Sequence, residues 1–139
     1  MNVGVTLSSK NYSIDMGYIG FFNLRKKVAE LVNQKLGEHY DLLSDLICIF
    51  DKTKRIEACA KYDEKTIEIQ KEFKITKGII KFLYKSDCNG SISFAQCKQI
   101  YKYIKDYDDN IIYGYCAMFK DFKAIIIDCV ENKCSMKWR

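Results

Sequence analysis

The chain has 139 residues, with 23 Lys and Arg against 18 Asp and Glu, one His, seven Cys and no Pro. With 48% apolar and 29% charged residues it has the balance of a folded domain, and a chain of this length buries roughly two-thirds of its unfolded surface. That argues against disorder and against a separate cofactor domain, and a net charge of +5 is too dilute for the dense basic field of a strong nucleic-acid binder.

The odd cysteine count and the ample apolar content argue against a disulfide scaffold. Cys48, Cys97, Cys116, Cys129 and Cys134 fall in apolar patterns, where a free thiol packs as a small hydrophobe, so a reducing cytosol is the expected setting. The segment MNVGVTLSSK has neither the basic nor the apolar region of a signal peptide. No apolar run approaches the ~20 residues that a bilayer span needs.

In chain order, Val3, Val5 and Leu7, then Tyr12, Ile14 and Met16, alternate with polar or small residues around Ser8–Asn11, which predicts a β-hairpin. Leu24, Val28, Leu31, Val32 and Leu36 follow helical spacing, starting at Asn23 or already at Phe21 and Phe22, with Gly37 as the stop. Tyr40, Leu43, Leu46, Ile47 and Phe50 predict another helix, ended by Asp51–Lys54. Residues 55–75 mix strand-like alternation at Ile67 and Ile69 with strong helix formers, and read as a hairpin or irregular excursion. Thr76 is expected to cap a short helix carrying Ile79, Ile80 and Leu83. Ser93 and Gln96 form a capping box ahead of a helix with a buried stripe of Phe94, Cys97, Ile100, Tyr101 and Ile104. Apolar residues from Ile111 through Tyr115 and Phe122 to Val130 predict a last helix of about five turns. Cys134, Met136 and Trp138 then alternate as a terminal strand that adds to the N-terminal hairpin. The fold class is α+β: one domain over 1–139, with four to five helices on a small antiparallel sheet made largely from the two ends.

Two constellations bear on chemistry. The loop at 85–96 places Asp87, Asn89, Gly90, Ile92 and Ser93 as in a calcium-binding EF-hand loop. It has Lys85 where the first ligand belongs and Gln96 where a bidentate Glu belongs, so the preferred reading is a helix–loop–helix turn with Ser93 as a cap. The second is Gly17-Tyr18-Ile19-Gly20-Phe21-Phe22-Asn23-Leu24-Arg25-Lys26-Lys27, a strand-to-helix junction. A helix N-terminus there could receive an anion, Arg25 and Lys26 could pair with it, and Tyr18 or Phe22 could stack on a base. The alternative is that the aromatics pack the sheet and the basic residues are solvated. P-loop, GxGxxG, CxxC and GxSxG patterns are all missing. His39, the one histidine, reads as a surface or capping residue. Lys98, Lys102 and Lys105 with Tyr101 and Tyr103 read as the solvated side of a helix. No metal site, no cofactor and no catalytic residue is assigned.

Two stretches, YIGFFNLR at 18–25 and FLYKSDCNGSISFAQCKQI at 82–100, resemble a family of small uncharacterised proteins associated with phages, prophages and their bacterial hosts. The shared pattern is Phe82, Leu83, Ser86, Asp87, Cys88, Gly90, Ile92, Ser93, Cys97 and Lys98. Residues 38–75 have no counterpart and read as a family-variable insertion. The resemblance implies an intracellular, phage-borne setting in a bacterial or infected host cell, and brings no activity with it.

The expected function is therefore a non-catalytic cytoplasmic binding protein that sequesters a host protein or a small anionic, nucleotide-like ligand, in a counter-defence role. Its candidate ligand-binding residues are Tyr18, Phe22, Arg25 and Lys26, with Asp87, Asn89 and Ser93 as loop candidates. A carboxylate-dependent enzyme acting on nucleotides or nucleic acid is the alternative. A structural or oligomeric phage component, or a degenerate EF-hand-like module, is a further one. Nucleic acid is a weaker partner than these, no membrane partner is expected, and homo-oligomerisation stays open. With Lys85 and Gln96 at the decisive loop positions, calorimetry at millimolar calcium is expected to give no heat of binding.

Overall fold

The structure, a computed structural model, describes residues 4–108, 110–114 and 117–139. Val3 of the expected hairpin, and Tyr115 and Cys116 of the expected last helix, lie outside the described residues. The fold is α+β. Strands β1 (Gly4–Ser8) and β2 (Ser13–Gly17) form the expected hairpin, and the C-terminal strand β6 (Met136–Trp138) pairs with β1. A short strand that the sequence pattern did not predict, β3 (Gly90–Ile92), adds to the other side of β6, so the antiparallel sheet runs β2-β1-β6-β3. Val5, Leu7, Met16, Ile92, Met136 and Trp138 all face the core. Period-two alternation puts one side of each strand in the core and leaves the other to water.

Helix α1 (Tyr18–Val32) starts directly after β2, so Phe21 and Phe22 are already helical. Gly20 is needed here for contact rather than for turning. A Cβ at this position would run into the backbone of Tyr113 and Gly114, which pack on the first turn of α1. The helix does not reach Gly37. Asn33 breaks it, because its side chain accepts bonds from Lys35 and Leu36 N–H and so caps α2 (Gln34–Asp41), leaving Gly37 inside α2. The expected helix through Phe50 is instead α2 followed by one turn, α3 (Leu43–Leu46), with Ile47 and Phe50 exposed.

The largest correction is at 55–75. Asp51 does not end an element. It accepts the Lys54 N–H at 3.0 Å and starts α4 (Lys52–Glu72), a helix of 21 residues. Tyr62, Thr66 and Ile69 form its buried stripe at helical spacing, while Ile67 faces solvent. The Ile67–Ile69 alternation was therefore accidental, and the run of Lys, Glu and Ala without Gly or Pro prevails. Thr76 precedes α5 (Lys77–Tyr84) as expected, yet its buried hydroxyl makes no cap bond. Ser93 and Gln96 form the predicted capping box of α6 (Phe94–Ile104).

The last helix, α7 (Phe119–Asn132), begins later than its apolar pattern implied. Ile112–Tyr113 (β4) and Ala117–Met118 (β5) form a small hairpin, and Gly114 has a positive φ that a helix cannot hold. Asp121 then accepts the Met118 N–H and fixes the helix start. Among the cysteines, Cys97 and Cys129 are buried and Cys134 is half-buried, as their apolar patterns implied, but Cys48 is exposed. The described cysteines are unbridged.

Phe21, Phe82, Phe122 and Trp138 build the centre of the core, with ring centroids 5.5–6.3 Å apart. Burying rings of this size contributes about 2–3 kcal/mol each. Gly90 sits where the Trp138 indole leaves no room for a side chain. At the sheet's far end the Asp128 carboxylate of α7 accepts from Ser9 Oγ at 2.6 Å, Asn11 N and Nδ2 at 2.8 Å each, and Asn132 Nδ2 at 2.7 Å, which ties the hairpin turn to α7.

Those donors, Ser9 first, hold the Asp128 carboxyl below its ordinary range. A depressed carboxylate stabilises the fold above its unfolded pKa and loses that effect as the folded form takes up its proton. Asp128→Ala is expected to melt at a lower temperature than the native chain near neutral pH. The gap should narrow as pH falls below about 4, as thermal denaturation at a series of pH values will show.

Candidate functional site

Tyr18, Phe22 and Arg25 stand at i, i+4 and i+7 on α1, so one helix face carries all three. That face forms one wall of an open groove of about 620 Å³. Tyr40, Leu43, Leu46 and Ile47 form the opposite wall, with Cys59 of α4 behind them. The end of α5 and the following residues, Leu83 to Asp87, close it off. The groove thus joins three of the four residues expected at the strand–helix junction with one of the loop candidates, Asp87. No spacing in the chain predicts that they meet.

Arg25 is 6% exposed, although its charge is permanent. Its Cζ lies 4.2 Å from the Phe21 ring centroid, 5.5 Å from Trp138 and 5.9 Å from Phe82, an arrangement that favours a cation over aromatic faces. Nη2 donates to the Lys85 carbonyl at 2.6 Å. Trp138 Nε1 donates to the next carbonyl, Ser86, at 2.8 Å, so two successive carbonyls of the loop are pinned from below. The Arg25 Nε is buried without a partner. Among the described residues, no carboxylate forms an ion pair with this guanidinium. Burial lowers its pKa, while Tyr40 and Asp87 act in the opposite sense.

The far wall rests on tyrosines. Phe22 and Tyr40 meet at a tilt with centroids 5.1 Å apart, Tyr40 meets Tyr84 at 5.6 Å, and the hydroxyls of Tyr62 and Tyr84 are 2.9 Å apart. Burial pushes Tyr40 up to about 12 and raises Tyr62 and Tyr84 as well, so at neutral pH these phenols carry no charge to offset Arg25. Sequence reasoning missed Tyr40 and Tyr84. They lie on separate helices, and no spacing in the chain connects them.

The other candidates go elsewhere. Lys26 pairs with Asp41 at 3.1 Å and does not line the groove. Asn89 lines a second cleft, of about 550 Å³, together with Lys81, Lys85 and Lys137. Ser93 is occupied as the cap of α6. The loop's polar side chains therefore diverge, Asp87 to one cavity and Asn89 to the other. Lys98, Lys102 and Lys105 are exposed on α6, and Tyr101 packs against the core.

His39 is neither a surface residue nor a cap. It is buried, stacked on Tyr62 with centroids 3.8 Å apart, and its Nε2 is 2.8 Å from Thr66 Oγ1. Thr66 gives its proton to the Tyr62 carbonyl, so the imidazole Nε2 is the donor to the Thr66 hydroxyl. This clamp fastens α4 to α2. No family model matches the chain, and no curated protein or solved structure shows significant similarity to it.

Burial lowers the His39 pKa, with Lys65 acting in the same sense and the Tyr62 backbone and Asp63 opposing it. Below the ordinary histidine value of about 6.5 the unfolded chain binds a proton that the folded clamp resists, so stability falls as pH falls through that range. Amide exchange across α4, corrected for its intrinsic rate, is expected to be faster near pH 5.5 than near pH 7.5. His39→Phe, which keeps a ring against Tyr62, should abolish that difference.

Proposed function

We propose that the protein is a non-catalytic binding module whose aromatic groove captures a small anionic ligand with a planar, nucleotide-like body. The observation that carries this reading is Arg25, a buried guanidinium in the groove wall with no carboxylate partner among the described residues. A cation removed from water is costly unless a charge or hydrogen bonds compensate it. An anion seated in the groove supplies that compensation, and the Tyr18 and Phe22 rings offer faces for its planar part. Lys26, neutralised by Asp41, adds only to the surrounding field. The cellular setting belongs to the same proposal: a phage- or mobile-element-borne protein that sequesters its ligand to blunt host defence.

A second reading, capture of a host protein, is favoured by the groove's rim. Ile19 and Ile47 both line the groove and are each 80% exposed, an apolar edge that water covers at a cost. Carboxylate catalysis finds less support, since Asp87 is the single carboxylate among the described lining residues.

The chain's one tryptophan, Trp138, lies 5.5 Å from Arg25, so its emission reports on the groove. Titration with adenosine monophosphate is expected to change that emission saturably, and adenosine should bind less tightly. Arg25→Ala should weaken binding about tenfold or more. Tyr18→Ala, at an exposed position that bears no load in the core, should weaken it without loss of fold by circular dichroism. Unchanged affinity in both variants overturns the assignment. Native mass measurement after bacterial expression will report any carried ligand together with subunit number.

A further inference from the structure

We propose that the cleft between the sheet and α5 is a binding site for a polyphosphate chain, distinct from the aromatic groove. Its lining holds four cationic side chains, Lys81, Lys85, Lys137 and Arg139, within about 550 Å³. The sheet register explains how they gather. Met136 and Trp138 of β6 point into the core, so Lys137 between them points the other way. Its cross-strand neighbours are Ser8 on β1 and Ser91 on β3. An ammonium therefore stands in a row between two hydroxyls, with strands about 4.8 Å apart. Lys81 and Lys85, at i and i+4 on α5 and its C-cap, share a helix face that overlooks this row.

None of these four side chains forms an ion pair with a carboxylate among the described residues. Asp15, on the same side of the sheet, lies on β2 beyond β1 and is held by Thr6 Oγ1 at 2.6 Å. Four like charges around one cavity repel one another, and a single monoanion leaves most of that repulsion in place. A ligand with several closely spaced negative charges and many acceptor oxygens relieves it, and the serine hydroxyls add neutral donors. Those properties belong to a di- or triphosphate chain.

Lys85 lines both cavities, and the loop it begins sends Asp87 into the groove and Asn89 into the cleft. The same chemistry thus has two sources. A free polyphosphate would use the cleft alone, and this part stands without the groove reading. A nucleoside triphosphate would keep its base and first phosphate in the groove with Arg25 and extend its outer phosphates past Lys85 into the cleft, and this source rests on that reading.

Calorimetry with sodium tripolyphosphate is expected to show saturable binding that weakens as salt is raised. Lys81→Gln and Lys137→Gln, both at exposed positions, should each weaken it about fivefold or more with the fold retained. Tyr18→Ala should leave tripolyphosphate binding unchanged. If adenosine triphosphate binds more tightly than tripolyphosphate, and that gain disappears in Tyr18→Ala, a nucleotide is the source. Equal affinities identify free polyphosphate and count against the groove alone. No heat with millimolar tripolyphosphate, or equal affinity in the Lys137→Gln variant, overturns the cleft. So does a single-stranded oligonucleotide that binds far more tightly than tripolyphosphate, which would make this face a nucleic-acid surface.

Discussion

The Arg25 guanidinium, enclosed by Phe21, Phe82 and Trp138 and bonded to the Lys85 carbonyl, is the contact on which the rest of the molecule's organisation depends. It joins α1, α5, the final strand and the loop after α5 at one point. Its charge keeps that point polar inside an aromatic core, and its bond to the Lys85 carbonyl leaves Nε without a partner. Aromatic faces and one carbonyl only partly replace a hydration shell. The same group is thus a structural pin and a source of positive potential in the groove wall.

The pinned loop divides the protein's two concave surfaces. On one side the walls are aromatic and apolar, with a cation beneath them. On the other they are lysines and serines displayed by the back of the sheet and by α5. The two surfaces differ in chemistry because the sheet is one-sided. Trp138 turns inward to support the groove, and its neighbour Lys137 turns outward into the cleft. Strand alternation sets that contrast at the sheet, while the groove's walls come from the packing of α1, α2 and α5.

Much of this was legible in the chain. Alternation placed β1, β2 and β6, and their union followed from the apolar faces each had to bury. Ser93 and Gln96 marked the start of α6 because a capping box is a local device. The errors came where local signals compete. Asn33 outcompeted Gly37 as a breaker because a side-chain cap satisfies two N–H groups. Asp51 and the helix formers of α4 prevailed over a chance alternation, and Gly114 ended an apolar pattern that carried on past it in sequence. At the site, Tyr18, Phe22 and Arg25 were legible because they lie a helical repeat apart. Their apposition to Tyr40, Tyr84 and Asp87 depends on how α2 and α5 pack, which no local pattern encodes. His39 was misread because burial by α4 was invisible until α4 itself was recognised as a helix.

The groove's two walls are held in unlike ways. Tyr18, Phe22 and Arg25 stand on a helix that buries Phe21, Leu24, Val28 and Ala29 in the core, whereas Leu43, Leu46 and Ile47 ride on a single turn with no fully buried residue. Behind that turn, α4 buries Tyr62, Thr66 and Ile69, and the residues from Lys52 to Glu57 at its start lie in solvent. One bank is therefore stiff, and the other is compliant beyond Tyr40, which is itself buried. The width of the channel between them is set by the weaker bank, and a guest of a different girth is accommodated by displacement of the α3 turn before anything in the core must yield.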